Sequence, residues 1–444
     1  MEATRIKAHI PVPLEIRFIA EVLRDGDPSV EVFLVGGCVR DYLFWKFHTA
    51  QTANYVFKDL DLATNLSEEE ILARLRSESA QRFCIKVKEK ESVDTFGVVF
   101  VSVSGKGPYE VAPYRRDIGS ADGRRPERVE RGTIYEDAMR RDFTINNLYY
   151  DFEKEEILDF NQNNEGVEDI KARRVRTVGN PFARFNEDKL RILRMVRFFS
   201  RLNEGLIVEH LDEATWGAIE HFKALTTFKG MSPERIQTEF LSGLAQSRRT
   251  DTYLKNYHDL DLFKAIFGGA KVDMSCVTRY LNLKNPKVVL AKLLYENEDV
   301  RELLNELKYP NEISDPVAFL CRAMNFDPKN AVDVLKDRDR RIIKVGKKKL
   351  ALTEEELEHN EKVKRETITD IADLMGVTDD PLRRALLEHM AGFNTTVMSG
   401  EELMKRGYQG QQIGAQQRAM LQSSYLSSLR WYLTAKKFSI ENLE

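Results

Sequence analysis

The chain runs to 444 residues, too long for a single hydrophobic core, so about two to four domains are expected. Lys and Arg total 68 against 71 Asp and Glu, a net charge of −3 that excludes a globally positive field; a nucleic-acid partner has to be met by a local basic surface. No run approaches the ~18 apolar residues of a membrane span, and 42% hydrophobic with 31% charged residues describes a soluble globular protein with no membrane partner.

Short β-branched or aromatic runs, VEVFLVGG, FKDLDLAT, FCIKVKEK, FGVVFVSV, YEVAPYR and NNLYYDF, predict that residues 28–160 are the only strand-rich part. The first run leads into FLVGGCVRD (33–41), a strand, then Gly36-Gly37, then a helix with Arg40 and Asp41 in its first turn. Adjacent glycines let backbone approach a phosphate, and a helix N-terminus offers N–H groups to an anion; a plain tight turn is the alternative. FKDLDLAT (57–64) places Asp59 and Asp61 on one face of a strand, with Leu60 and Leu62 on the other. Two neighbouring carboxylates repel unless a cation sits between them, and oxygen-rich sites suit magnesium. Two solvated acids on an edge strand are the bland alternative. Ser67 followed by Glu70 marks a capping box opening SEEEILARLRSES. In YEVAPYR, Glu110 is either a third carboxylate or a surface acid.

RRDIGSADGRRPERVERG (115–132) has no periodicity and reads as a loop. From about residue 186 the spacing turns helical, as in NEDKLRILRMVRFFSRL, SPERIQTEFLSGLAQ, NPKVVLAKLLYEN and LRRALLEHMAGF. In NEDKLRILR, Asp188 and Arg191 are three apart and share a helical face; a salt bridge with Glu187 is the alternative. Arg191, Arg194, Arg197 and Arg201 form a basic stripe, to be divided between phosphate contact and solvent. KDRDRRIIKVGKKK (336–349) is the densest basic cluster, its Lys344, Lys347, Lys348 and Lys349 either phosphate contacts or solvated charge. Cys38, Cys84, Cys276 and Cys321 are scattered and fit neither a metal motif nor a disulfide framework, and the N-terminus has no signal-peptide core. An intracellular location is expected, cytoplasmic first, with an organelle as the alternative.

The order strand–Gly-Gly–helix, Asp-x-Asp, then a lone acid on a later strand resembles the nucleotidyltransferase superfamily that includes DNA polymerase beta. RRDFTINNLYYD (140–151) and GVEDIKARRVRTVGNPFARFNEDKLRILRMVRFFSR (166–201) narrow the resemblance to class II tRNA nucleotidyltransferases, which share a family with bacterial poly(A) polymerases. The resemblance spans about residues 30–245. It implies an α+β fold: a polymerase-beta-like head of mixed sheet and helices (1–160), then an all-α neck for base recognition (161–245), body (246–376) and tail (377–444), the last two binding tRNA.

The resemblance also implies roles. Asp59 and Asp61 would hold two Mg2+ ions, with Glu110 as the third catalytic acid. Gly36, Gly37, Arg40 and Arg194 would contact the nucleotide, Arg141 and Asp142 its ribose, and Asn146 the 2′-hydroxyl and phosphates. Asp188 and Arg191 would act as a protein template for the base. Cytosine and adenine both present an exocyclic amine for a carboxylate and a ring nitrogen for a guanidinium, whereas guanine and uracil carry a carbonyl where the amine would be. Asp122, Gly123 and Arg124 fall in the counterpart of the flexible loop that serves the change from CTP to ATP.

Two features depart from the family pattern. FWKFHTAQTANYVF lengthens the connection between Asp41 and Asp59, as a primer or partner contact or an inert loop, and SVDTFGVVFV lacks the family's K-H-G-T run. MSGEELMKRGYQGQQIGAQQRAMLQSSYLSSLRW (398–431) resembles the tail of CCA-adding enzymes and has no strongly basic poly(A)-polymerase ending. The expected activity is template-independent addition of CCA to tRNA 3′ ends from CTP and ATP, releasing pyrophosphate. The alternatives are poly(A) synthesis, addition of the terminal A alone, and a catalytically inactive RNA-binding protein.

Overall fold

The structure, a computed structural model, describes residues 2–50, 55–88, 97–118, 128–225, 231–275, 284–324, 352–374, 398, 400–417 and 419–420. They fall into two compact units, residues 1–248 with 255–262, and residues 249–254 with 263 onward.

Among its described residues the first unit has ten strands: β1 (Thr4–Lys7), β2 (Val32–Val35), β3 (Asp61–Thr64), β4 (Ile85–Val87), β5 (Val99–Val103), β6 (Lys106–Pro113), β7 (Arg115–Ile118), β8 (Arg128–Arg131), β9 (Leu148–Asp151) and β10 (Glu156–Asp159). Eight of them form a mixed sheet in the order β1-β10-β9-β2-β3-β6-β5-β4, in which β3 and β6 run parallel and the other neighbours antiparallel. All four residues of β2 are buried, as expected of a central strand covered on both faces. Phe33, Val35, Ala63, Tyr149 and Leu158 pack with Ala138 and Phe160 into one buried cluster.

Its helices are α1 (Leu14–Arg24), α2 (Gly37–His48), α3 (Glu68–Leu75), α4 (Glu78–Arg82), α5 (Ile134–Met139), α6 (Glu165–Lys171), α7 (Pro181–Glu187), α8 (Leu190–Leu202), α9 (Glu213–Leu225) and α10 (Pro233–Gln246). The capping box forms at α3: Ser67 Oγ accepts the Glu70 N–H at 3.2 Å, and Glu70 Oε2 accepts the Ser67 N–H at 2.7 Å. α10 packs along α8, burying Phe240 and Leu244.

Two corrections concern strands. β1 lies well before residue 28, and its pairing with β10 joins Thr4 to Asp159; a partner so distant leaves no local trace, and TRIK alone carries no strand period. Within 115–132, the flanks Arg115–Ile118 and Arg128–Arg131 pair antiparallel instead of forming loop. Asp122, Gly123 and Arg124 lie outside the described residues.

α11 (Thr250–Asp259) has residues in both units. The second unit adds α12 (Phe263–Ile266), α13 (Pro286–Leu294), α14 (Val300–Glu306), α15 (Asn311–Met324), α16 (Glu354–Leu374) and α17 (Gly400–Lys405), with no strand among its described residues. Val288 to Leu294 are buried without a break, so α13 is its central helix, packed against α15 and α16. No described helix is long and apolar enough to cross a membrane. Lys344, Lys347, Lys348 and Lys349 lie outside the described residues, as do LRRALLEHMAGF and the end of the expected tail.

Candidate active site

β2 ends at Val35 and the chain turns through Gly36, whose φ of 68° and ψ of −117° side chains avoid. A Cβ there would stand 2.9 Å from Arg141 Nη1, so the glycine also keeps bare backbone against a guanidinium. Gly37 then opens α2.

The two aspartates follow on the next strand, with one correction. β3 begins at Asp61, and Asp59 lies just ahead of it. The β2–β3 ladder joins Val32 to Thr64 and Leu34 to Leu62. Continued, it would need a partner where Gly36 has already turned away, so the strand stops pairing there. Alternation survives this. Leu60 and Leu62 are buried, Asp59 is exposed and Asp61 half-buried. Glu110 stands in register with Asp61 on the parallel strand β6. Burial first, then the charges of Glu110 and Asp59, push the Asp61 carboxyl up to about 6, against the opposing pull of Arg141 and Arg40. Burial and Asp59 raise Glu110 as well. A site whose acids repel one another in this way fits a hard divalent cation. Among the described residues no three His, Cys, Asp or Glu side chains form a closed metal cage; such a cation would need oxygens from elsewhere to complete its shell.

Beside the glycine turn, the RRDFTIN segment leaves α5 and enters a short 3₁₀ turn at Thr144–Asn146. Asp142 is buried at its centre. Its Oδ1 accepts the Phe143 N–H and Asn146 Nδ2, both at 2.9 Å, and its Oδ2 accepts Arg194 Nε at 2.8 Å. Burial alone would raise this carboxyl, but the Arg194 guanidinium and these hydrogen bonds hold it at about 2. Asn146 Oδ1 in turn accepts Arg40 Nη1, and the Arg40 guanidinium lies 4.7 Å from the Phe198 ring centroid. Arg141 donates to the Tyr149 hydroxyl at 3.1 Å, the Asn146 carbonyl at 3.3 Å and Asp137 Oδ2 at 3.2 Å.

Asp188 and Arg191 differ from expectation. Asp188 is not helical: at φ −152° and ψ 105° it ends α7 and bridges to α8. Its Oδ1 accepts the Leu190 N–H at 3.1 Å, and its Oδ2 accepts Arg235 Nη2 of α10 at 2.7 Å. Arg191 pairs with Glu187 at 2.6 Å and donates to the Arg184 and Arg140 carbonyls. The salt bridge with Glu187 is therefore present, and the two residues share no helical face. The basic stripe is also largely neutralised within the fold, because Arg194 meets Asp142, Arg197 meets Glu239, and Arg201 meets Asp41 at 2.7 Å.

All the nucleotide-binding residues expected from the sequence nevertheless line one cleft of about 400 Å3: Gly36, Gly37, Arg40, Arg141, Asp142, Asn146, Asp188, Arg191 and Arg194. Arg140, Phe198 and Arg235 join them. Arg235 had no sequence signal, since it belongs to an ordinary helical pattern 47 residues beyond Asp188. Asp59, Asp61 and Glu110 line a second, larger cleft of about 1110 Å3. The two clefts meet neighbouring strands: β2, which runs into the Gly36-Gly37 turn of the smaller one, pairs with β3, which carries Asp61 of the larger.

The family model of the poly A polymerase head domain matches residues 32–176. The CCA-adding enzyme of Enterococcus faecalis is 30% identical over 329 residues, 71% of this chain and 72% of that protein. That of Lactococcus lactis subsp. cremoris is 31% identical over 319 residues, 68% and 69% of the two chains. Among solved structures, the Bacillus stearothermophilus CCA-adding enzyme in complex with CTP superposes with a TM-score of 0.59 at 20% identity, covering 95% of this chain and 98% of that one. At that identity the likeness speaks to the fold.

Proposed function

The chain belongs to the CCA-adding enzyme family of tRNA nucleotidyltransferases, and from that membership we propose that it adds C, C and A to tRNA 3′ ends from CTP and ATP, without a nucleic-acid template and with release of pyrophosphate. The observation that carries this reading is the cleft where Arg40, Asp142, Asn146, Asp188 and Arg191 converge beside the Asp61–Glu110 pair.

Phosphoryl transfer depends on positioning and charge neutralisation, and this chain supplies both. Gly36 exposes backbone and Arg40 brings positive charge to the triphosphate, while Arg141 sits at the ribose. Asp142, held ionised by Arg194, accepts a ribose hydroxyl. Asp188 accepts the exocyclic amine of cytosine or adenine; its two bonds leave lone pairs unused, because each carboxylate oxygen has two. Arg191 has five N–H groups and three named acceptors, which leaves donors for a ring nitrogen. Guanine or uracil would leave Asp188 facing a carbonyl, and an unpaired buried acceptor is costly.

Asp59 and Asp61 are the residues to hold Mg2+, with Glu110 as the third acid beside them. When bound, such ions lower the pKa of the primer hydroxyl and neutralise the triphosphate. The protein's part is to hold the carboxylates side by side through the β3–β6 register.

The test is incubation with Mg2+, a tRNA transcript lacking its 3′ CCA, and each nucleotide singly or CTP with ATP. Three residues added in the order C, C, A, then arrest, are expected. A long ladder from ATP alone would make it a poly(A) polymerase, growth only on a tRNA already ending in CC an A-adding enzyme. No incorporation overturns the reading.

A further inference from the structure

The larger cleft has a wall that the reaction does not account for. Tyr42 and Trp45, on α2, meet Tyr55 and Phe57, from the stretch between Asp41 and Asp59, in one aromatic cluster. Ring centroids lie 5.7 Å apart for Tyr42–Trp45, 5.5 Å for Trp45–Tyr55 and 4.9 Å for Tyr55–Phe57. Phe57 also stacks on Tyr42 at 6.2 Å, with an interplanar angle of 13°. Tyr42 is buried, its hydroxyl donating to the His9 carbonyl at 3.1 Å, and anchors the group. Trp45, Tyr55 and Phe57 are half-buried, and Val56 between the last two is 78% exposed. The rings pack on one another yet keep part of their surface open to the cleft, beside the carboxylates.

We propose that this aromatic wall is a stacking platform for the single-stranded 3′ end of the RNA being extended. The inference rests on the nucleotidyltransferase reading and concerns the second substrate. In-line transfer requires the attacking hydroxyl to reach the phosphorus from the side opposite the leaving group. With the nucleotide in the smaller cleft, and Asp61 of the larger one on the strand paired with the one that leads into the Gly36-Gly37 turn, the primer hydroxyl arrives from the larger cleft. That cleft is continuous from the rings to Asp59 and Asp61. At about 1110 Å3 it exceeds the ~300–1,000 Å3 usual for one small ligand, leaving room for more than a single nucleotide. Exposed Lys58 adds positive charge beside the backbone phosphates of such a strand. Stacking on aromatic rings tolerates any base. An end whose last base changes after each addition needs that tolerance. The rings brace one another, so little ordering remains to be done on binding.

The test uses the full chain and a tRNA transcript lacking CCA, with RNA varied at saturating CTP and CTP varied at saturating RNA. Trp45→Ala is expected to raise the KM for RNA about tenfold and to leave the KM for CTP within about twofold; Trp45→Phe is expected to restore RNA affinity. In a binding assay without nucleotide, 2-aminopurine at the transcript's 3′ terminus is expected to be quenched by the wild-type protein and by Trp45→Phe, and much less by Trp45→Ala. An unchanged RNA KM and quench in Trp45→Ala would overturn the platform, as would an equal rise in both KM values. Absence of quenching by the wild-type protein overturns it even if Trp45→Ala fails to fold. A wild-type protein that quenches the probe but extends no RNA defeats the nucleotidyltransferase reading instead, and the two failures stay distinct.

Discussion

Asp61 and Glu110 stand opposite each other on β3 and β6, the parallel pair of an otherwise antiparallel sheet. The register fixes two carboxylates side by side, with Asp59 adding a third charge, and the result is an Asp61 carboxyl lifted to about 6. Such a site is held at the expense of stability, as functional sites often are.

Asp61→Asn is therefore expected to abolish nucleotide incorporation while RNA binding survives. The same change removes a repelled, half-buried charge, so the thermal midpoint measured at pH 8 without metal should rise or stay level. A clear fall would show that Asp61 has a structural partner. Chelation of divalent metal should stop incorporation by the wild-type protein, and restored Mg2+ should raise the wild-type midpoint more than that of Asp61→Asn.

Asp142 gives the opposite pH dependence. Its folded value of about 2 lies below its usual 3.8, so ionisation favours the folded state. The sign follows: the contribution, about 2 kcal/mol, is fully present above about pH 4 and is lost as pH falls towards 2. Urea unfolding between pH 6 and pH 2 should show this loss in the wild type and less of it in Asp142→Asn. Arg194→Ala, which strands a buried carboxylate, should destabilise by roughly 3–5 kcal/mol at neutral pH.

Arg235 touches Asp188 and not the nucleotide's phosphates in this reading, so it positions the base-reading carboxylate. Arg235→Ala is expected to weaken discrimination of CTP against UTP by about tenfold, equivalent to the one hydrogen bond to a charged group that it removes. Arg235→Lys should recover part of it. Unaltered discrimination in Arg235→Ala would mean that the Leu190 N–H suffices to aim Asp188.

Gly36→Ala sets a side chain in a backbone region it avoids and pushes it against Arg141. The expected penalty is about 1–3 kcal/mol in urea unfolding, with a raised KM for the nucleotide because Arg141 must shift. Gly37→Ala meets only Arg40 Nη2 at 3.8 Å, ordinary contact distance, and is expected to be much milder.

Much of this was legible beforehand because it is local. Alternation along FKDLDLAT put both aspartates on one side before any partner strand was known, since side chains alternate in any extended chain. The Gly36-Gly37 turn and the Ser67–Glu70 capping box also involve residues within a turn of each other. The expected shared face of Asp188 and Arg191 failed at a helix boundary: their spacing suits a helix, but α7 ends at Glu187 and Asp188 is extended. Spacing describes side-chain neighbours only where the backbone is helical.

By itself the sequence determined the α+β head, the helical remainder, and the order of carboxylates, glycines and arginines along the chain. These follow from backbone periodicity and turn preferences, which act over a few residues. The tertiary structure alone decided that Asp188 answers to Arg235, that Arg197 and Arg201 are matched by Glu239 and Asp41, that β1 closes on β10, and that four rings gather beside Asp59. Each joins groups whose separation is set by packing of elements distant in sequence, and charge or stacking interactions depend on that distance in space.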